Sequence, residues 1–190
     1  PRLDKKSVGL TGWVHEIRDH GNLKFLILRD RGGTIQITAK KETTDKKVLD
    51  YFDKLTKESV VEVDGIVKKD NKAPNGVEII PKSISLIAES KSPLPLDVTG
   101  KVDAELDTRL NNRFIDLRKK EVAAIFKIRS RVQSSFREYF LNHGFVEINP
   151  PCIIAAASEG GTNLFPISYF EKEAYLAQSP QLYKQMMMAT

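Results

Sequence analysis

From Val8 to Ile87 apolar and polar residues alternate with the period of a strand in five runs: Val8 to His15, Lys24 to Arg29, Thr34 to Thr38, Val60 to Val67 and Val77 to Ile87. Turn-forming clusters separate several of them, at Asp19-His20-Gly21-Asn22, Asp30-Arg31-Gly32-Gly33 and Ala73-Pro74-Asn75-Gly76. Each run therefore predicts a strand. Between the third and fourth runs, Val48, Leu49, Phe52 and Leu55 fall at helical spacing and predict a helix over Asp45 to Leu55. Five strands with one helix between the third and fourth is the order of an OB-fold, a small all-β barrel that often binds oligonucleotides. Residues 1–87 are expected to form it.

The period then changes. Glu89-Ser90-Lys91-Ser92-Pro93-Leu94-Pro95-Leu96-Asp97 suits neither helix nor strand, and residues 88–101 are expected to be a linker or hinge. Beyond it Val122, Ile125, Phe126, Arg129, Val132, Phe136 and Phe140 recur at three and four and predict a helix, with Gly144 as its stop. Phe145-Val146-Glu147-Ile148 predicts a buried strand that ends at Pro150-Pro151. The chain closes at Met186-Met187-Met188-Ala189-Thr190 in a helical pattern without a cap, so residues 102–190 are expected to be the first part of a larger domain.

Composition narrows the class. With 41% apolar and 29% charged residues the chain is of globular type. No run of about 18 apolar residues is present, and the N-terminal residues lack the apolar stretch of an export signal. No membrane partner and a cytoplasmic location are expected. The lone Cys152 has no Cys or His at metal-ligand spacing, and a small buried role is expected of it. A net charge of +5 is compatible with a polyanionic partner but does not select one.

Two stretches carry candidate chemistry. In Lys24-Phe25-Leu26-Ile27-Leu28-Arg29, alternation turns Leu26 and Leu28 inward and Phe25, Ile27 and Arg29 outward. Gln36 lies outward between Ile35 and Ile37 of the next run. An aromatic ring, a guanidinium and an amide on one sheet face suit stacking on an unpaired base and bonding to its edge. The same spacing also allows Phe25 to pack under a loop and Gln36 to be solvated. Arg18 could meet a phosphate, with an ordinary surface residue as the plainer reading, and the charge of Lys24 is expected to face a nucleic-acid backbone. The second stretch is AYLAQSPQLYKQ, where Ser179 can cap a helix opened by Pro180. Gln181 and Lys184 then share one face, just after Gln178, and a lysine beside amides at a helix start can hold a carboxylate. A capped surface helix is the plainer alternative. In Ala157-Ser158-Glu159-Gly160-Gly161-Thr162 a single acid could meet an ammonium group, with a simple turn as the plainer alternative.

The order GWVHEIRDHGNLKFLILRDRGGTIQIT, SPLPLDVTGKVDAELDTRLNNRFIDLR, FREYFLNHGFVEINPP, ASEGGTNLFPISYF, AYLAQSPQLYKQ resembles the N-terminal part of an aspartyl-tRNA synthetase of the archaeal and eukaryotic type. The resemblance implies an OB-fold that binds the anticodon, followed by the start of an α+β class II catalytic domain, an antiparallel sheet with helices. It implies that Phe25 stacks on an anticodon base, that Gln36 contacts one and that Arg18 lies nearby. His15 and Pro74 would lie near the third anticodon base, leaning toward recognition of tRNA(Asn) as well as tRNA(Asp). Phe136 to Pro151 would be class II motif 1, with Phe136, Phe140 and Pro151 in a homodimer interface. Ser158, Glu159, Gly160 and Gly161 would belong to the loop that closes over L-aspartate. Gln178, Gln181 and Lys184 would line the aspartate pocket, Lys184 on the substrate side-chain carboxylate.

The family's partners would be tRNA, aspartate and ATP, with ATP and Mg2+ the cofactors of the full-length enzyme. Motifs 2 and 3, which hold ATP, would lie beyond Thr190, so the chain is expected to be an N-terminal fragment without activity of its own and without a catalytic or metal-binding residue. Synthetases for asparagine or lysine share the architecture. A metabolic aspartate–ammonia ligase relative lacks the barrel, and a free-standing OB-fold nucleic-acid-binding protein is the alternative from another class.

Overall fold

The computed structural model describes residues 3–155 and 164–189, which fall in two compact units, Pro1–Ile125 and Phe126–Thr190. The first unit is built on five strands, β1 (Ser7–Asp19), β2 (Leu23–Arg29), β3 (Thr34–Lys40), β4 (Val60–Lys69) and β5 (Val77–Ala88), with helix α1 (Lys46–Lys54) between β3 and β4. They close a barrel in the order β1-β2-β3-β5-β4. Closure depends on β1, whose first half pairs with β4 and whose second half pairs with β2. Its register shifts between Val14 and Glu16, so His15 is the extra residue of a bulge that bends the strand from one neighbour to the other. The bulge also reverses parity, which is why β1 continues to Asp19 through residues that do not alternate with its start.

The alternating residues fill the barrel. Val14, Leu26, Ile37, Val61 and Val63 are fully buried, and α1 adds Val48 and Phe52 to the same core. Each such side chain contributes about 1.5–3 kcal/mol by leaving water. Asp45 caps α1, its carboxylate accepting the Lys47 amide at 2.7 Å. Strand packing is close enough at Gly65 that a Cβ there would stand 2.5 Å from Ile80 O.

After the barrel come two short helices, α2 (Leu106–Asn111) and α3 (Arg113–Asp116). The proline-bearing stretch is anchored: Leu96 and Val98 form a small buried cluster with Ile115. Asp116, wholly buried, is held by Arg109 at 3.1 Å and Arg113 at 2.8 Å.

Helix α4 (Lys120–Asn142) runs across the junction of the units. Gly144, at φ 79°, ends it in the left-handed conformation that glycine adopts without strain. Phe145–Ile148 corrects the sequence expectation: it is neither a strand nor buried, and Val146 is 82% exposed. A strand needs a neighbour for its amides and carbonyls, and among the described residues none pairs with it. Strands β6 (Ile153–Ile154), β7 (Phe165–Tyr169) and β8 (Lys172–Leu176) form an antiparallel sheet in the order β6-β8-β7. Helix α5 (Gln181–Met187) follows, capped at Pro180 with no side-chain hydrogen bond; the helix starts one residue later than Ser179 would have it. Cys152 is exposed rather than buried, because it stands just outside the start of an edge strand. No helix among the described residues is long and apolar enough to cross a membrane.

Candidate functional site

Strand register brings the barrel's outward residues into two rows. Arg18 lies opposite Phe25, and Phe25 opposite Thr38. In the adjoining row Ile27 faces Gln36, Gln36 faces Glu78, and Glu78 faces Lys68. Arg18, Phe25 and Gln36 thus share the wall of one open cleft of about 420 Å³, with His20 and Lys40 at its margin.

Polar groups in the cleft are ordered by a hydrogen-bonded chain. Gln36 Nε2 donates to Thr38 Oγ1 at 3.2 Å, Thr38 Oγ1 donates to Glu78 Oε2 at 2.6 Å, and Lys68 Nζ donates to Glu78 Oε1 at 2.8 Å. The Glu78 carboxylate, and with it Asp70, raises the pKa of Lys68 and keeps it charged. Phe25 is half-buried, and His20 meets it edge to face. A ring fixed beside an ordered amide, with Arg18, Lys40, Lys68 and Lys72 around it, is chemically suited to an unpaired base and its phosphates.

Other candidates lie elsewhere. His15 is not in the cleft wall; its Nδ1 is 3.1 Å from Arg29, and partial burial, followed by the Arg29 charge, lowers its pKa. Pro74 opens a 3-10 turn, Pro74–Gly76, beside Ala73, which does line the cleft. Lys24 does not face outward. It is 4% exposed, with its ammonium on Asp53 and 3.4 Å from Asp19.

His20, Lys40, Lys68 and Glu78 are cleft residues that sequence reasoning missed. Lys40 has the parity of Gln36 and Thr38 and was within reach of the alternation argument. Lys68 and Glu78 come in through the β4–β5 register, which no single-strand pattern carries.

In the second unit, Phe136, Phe140, Phe145, Val146 and Met187 line an open apolar cleft of about 1040 Å³, with Lys184 at its edge. Arg137 grips Glu147 with two bonds, at 2.7 and 2.9 Å, and so holds the unpaired stretch to α4. Gln181 and Lys184 are exposed on α5, three residues apart, and Gln178 is exposed just before it. Of these three, only Lys184 borders the cleft. Pro151 is exposed ahead of β6. Ser158, Glu159, Gly160 and Gly161 lie outside the described residues. Among the described residues no three His, Cys, Asp or Glu side chains gather as a metal site.

Two protein families match the chain. The family "OB-fold nucleic acid binding domain" matches residues 8–87, and the family "tRNA synthetases class II (D, K and N)" matches residues 105–190. The chain is 56% identical over 189 residues to the aspartate–tRNA(Asp/Asn) ligase of Methanopyrus kandleri, covering 100% of this chain and 44% of that one. It is 57% identical over 188 residues to the aspartate–tRNA(Asp) ligase of Pyrococcus furiosus, covering 99% and 43%. Among solved structures it is similar to a putative aspartyl-tRNA synthetase from Leishmania major, with a TM-score of 0.86, 36% identity, and 99% and 38% of the two chains covered. It is also similar to asparaginyl-tRNA synthetase from Pyrococcus horikoshii, with a TM-score of 0.87, 34% identity, and 99% and 43% covered. The chain spans less than half the length of the curated relatives it matches. The chain thus carries an OB-fold nucleic-acid-binding domain followed by a class II tRNA synthetase domain of the D, K and N type, in a sequence similar to archaeal aspartate–tRNA ligases.

Proposed function

We propose that this chain forms the anticodon-reading barrel and the leading part of the synthetase domain of an aspartate–tRNA ligase. The observation that carries the reading is the meeting of Phe25, Gln36 and Arg18 in one cleft. Relatives at 56% and 57% identity that are named aspartate–tRNA ligases support the choice of amino acid. Residues 1–87 read the anticodon, 88–101 act as the hinge and 102–190 begin the synthetase domain. Phe25 stacks on a base, Gln36 and Arg18 contact its edge or phosphate, and His15 and Pro74 adjust the choice at the third anticodon position. Both tRNA(Asp) and tRNA(Asn) are then substrates, as the name of the Methanopyrus kandleri relative has it.

In the synthetase domain Lys184 meets the side-chain carboxylate of L-aspartate. A fixed cation suits that group, and a neutral amide in its place would leave the ammonium unpaired. Gln178 and Gln181 orient the substrate, and Ser158, Glu159, Gly160 and Gly161 close over it. ATP, with Mg2+, would supply the adenylyl group that activates the α-carboxylate of aspartate, with pyrophosphate as the leaving group. Phe136, Phe140 and Pro151 pack in a homodimer, in the cytoplasm.

A chimera tests the reading: this chain replaces the matching segment of the Pyrococcus furiosus ligase. It charges tRNA(Asp) with aspartate and discriminates against asparagine. A folded chimera that charges with asparagine, or that loses aspartate charging, contradicts the assignment.

A further inference from the structure

Two carboxylates of the barrel are each shared between one cation of the barrel and one of the segment that follows it. Glu58, only 2% exposed at its side chain, accepts at Oε2 from Arg29 at 2.8 Å and from Arg118. Both guanidiniums also lie over Trp13, 5.8 and 5.9 Å from its ring centroid. Neither arginine lines the cleft. Glu16 is the other case. Its side chain is 13% exposed; Oε2 accepts from Arg18 at 2.6 Å and Oε1 accepts from Lys101 Nζ. Here the barrel's cation, Arg18, is a wall of the cleft.

The Lys101 end is tied as well. Its amide donates to Asp97 Oδ2 at 3.0 Å, and the Thr99 hydroxyl donates to the same oxygen at 2.6 Å. Lys57 approaches the other oxygen at 3.4 Å. What happens to the Lys101 ammonium is therefore felt by the turn from Asp97 to Lys101.

We propose that Glu16 relays occupancy of the cleft to the segment around Lys101: RNA that engages Arg18 draws it from Glu16, and the carboxylate then holds Lys101 alone. Two cations compete for one largely buried anion and repel each other across it, so removing either strengthens the hold on the other. The coupling is reciprocal, and a grip on Lys101 in turn releases Arg18 for RNA. The relay rests on the reading of the cleft as an RNA site. It makes Glu16 a positioning residue, linking an occupied anticodon cleft to the segment that leads toward the synthetase domain.

A double-mutant cycle on the whole chain, titrated with an aspartate anticodon stem-loop, tests it. Lys101→Gln weakens binding about two- to fivefold in the wild-type background, the range of one exposed ion pair. In a Glu16→Gln background the same change has no effect. An equal loss in both backgrounds shows a general charge effect and overturns the relay while leaving the RNA site standing. Failure of the wild-type chain to bind the stem-loop removes the RNA reading and the relay together. Wild-type hydrogen exchange gives a second readout that needs no variant. Saturating stem-loop slows exchange of the Lys101 amide; an unchanged rate in the bound state overturns the relay.

Discussion

Lys24 of β2 is buried against α1, its ammonium donating to the Asp53 carboxylate. That pair joins helix to barrel, and the Asp53 carboxylate, aided by Asp19, raises the pKa of Lys24. The charge is therefore taken up by Asp53 and Asp19. Lys24→Ala removes a buried alkyl stem and is expected to destabilise the chain by about 1–2 kcal/mol. Denaturant unfolding measures that loss, and the salt dependence of stem-loop binding stays as in the wild type. A lower salt slope with unchanged stability would return Lys24 to the RNA surface.

Glu16 sets an acid-side dependence. The hydrogen bond from Arg18, aided by Lys101, holds its carboxyl down to about 2, against an ordinary value of 4.5. The folded value lies below the unfolded one, so the stabilisation is fully present above about 4.5 and is lost as pH falls toward about 2. Across that window the wild type loses stability more steeply than Glu16→Gln, by up to about one proton in the slope. Urea midpoints of the two proteins between those pH values check it, and parallel slopes would show that Glu16 is not held by its cations.

The apolar cleft of the second unit makes a prediction about self-association. Phe136 and Phe140 are 63% and 43% exposed, and a contiguous apolar surface of this kind marks an interface. In the homodimer proposed above, Phe136→Asp places a charge in this surface and is expected to raise the dissociation constant at least about tenfold. Sedimentation velocity reads the change. Equal association of the variant and the wild type would move the dimer contact elsewhere.

Lys184 is tested in the chimera. Lys184→Met leaves the aspartate carboxylate without its cation, and kcat/KM for aspartate is expected to fall by more than about tenfold, or roughly 1.4 kcal/mol of transition-state stabilisation. KM for ATP stays near its original value. A smaller loss makes Lys184 an ordinary residue at the rim of the apolar cleft.

How much was legible in the sequence differs between the units. In the barrel, parity alone put Leu26, Leu28 and Ile37 inside and Phe25 and Gln36 on the cleft side. Lys24 has the parity of Leu26 and Leu28. Its charge argues for solvent and its parity for the core, and parity prevails because Asp53 and Asp19 come within reach. Alternation could not be followed past His15, since the bulge there reverses the faces of β1. The Gln36–Glu78 and Glu78–Lys68 pairings required the parallel β3–β5 register and the shifted β4–β5 register, and neither is encoded in a local pattern. In the second unit, helical spacing and Gly144 gave α4 and its end. The run from Phe145 to Ile148 has strand-forming residues, yet hydrophobicity does not supply the neighbouring strand that makes one. The helix-start pattern offered Gln178, Gln181 and Lys184 as holders of a carboxylate and the resemblance made that carboxylate aspartate; of these three, Lys184 alone lines the apolar cleft.

The proposed anticodon reading rests on the Phe25 ring as a platform for a base. Stacking on an aromatic is worth about 1–3 kcal/mol per base. The direct measurement is the affinity of an aspartate anticodon stem-loop for the wild type and for Phe25→Ala, taken with the melting temperature of each. Binding is expected to weaken by roughly five- to a hundredfold, with an unchanged salt slope because no phosphate contact is lost, and with little change in melting temperature. Unchanged affinity together with a large loss of thermal stability would make Phe25 a packing residue and remove it from the anticodon site.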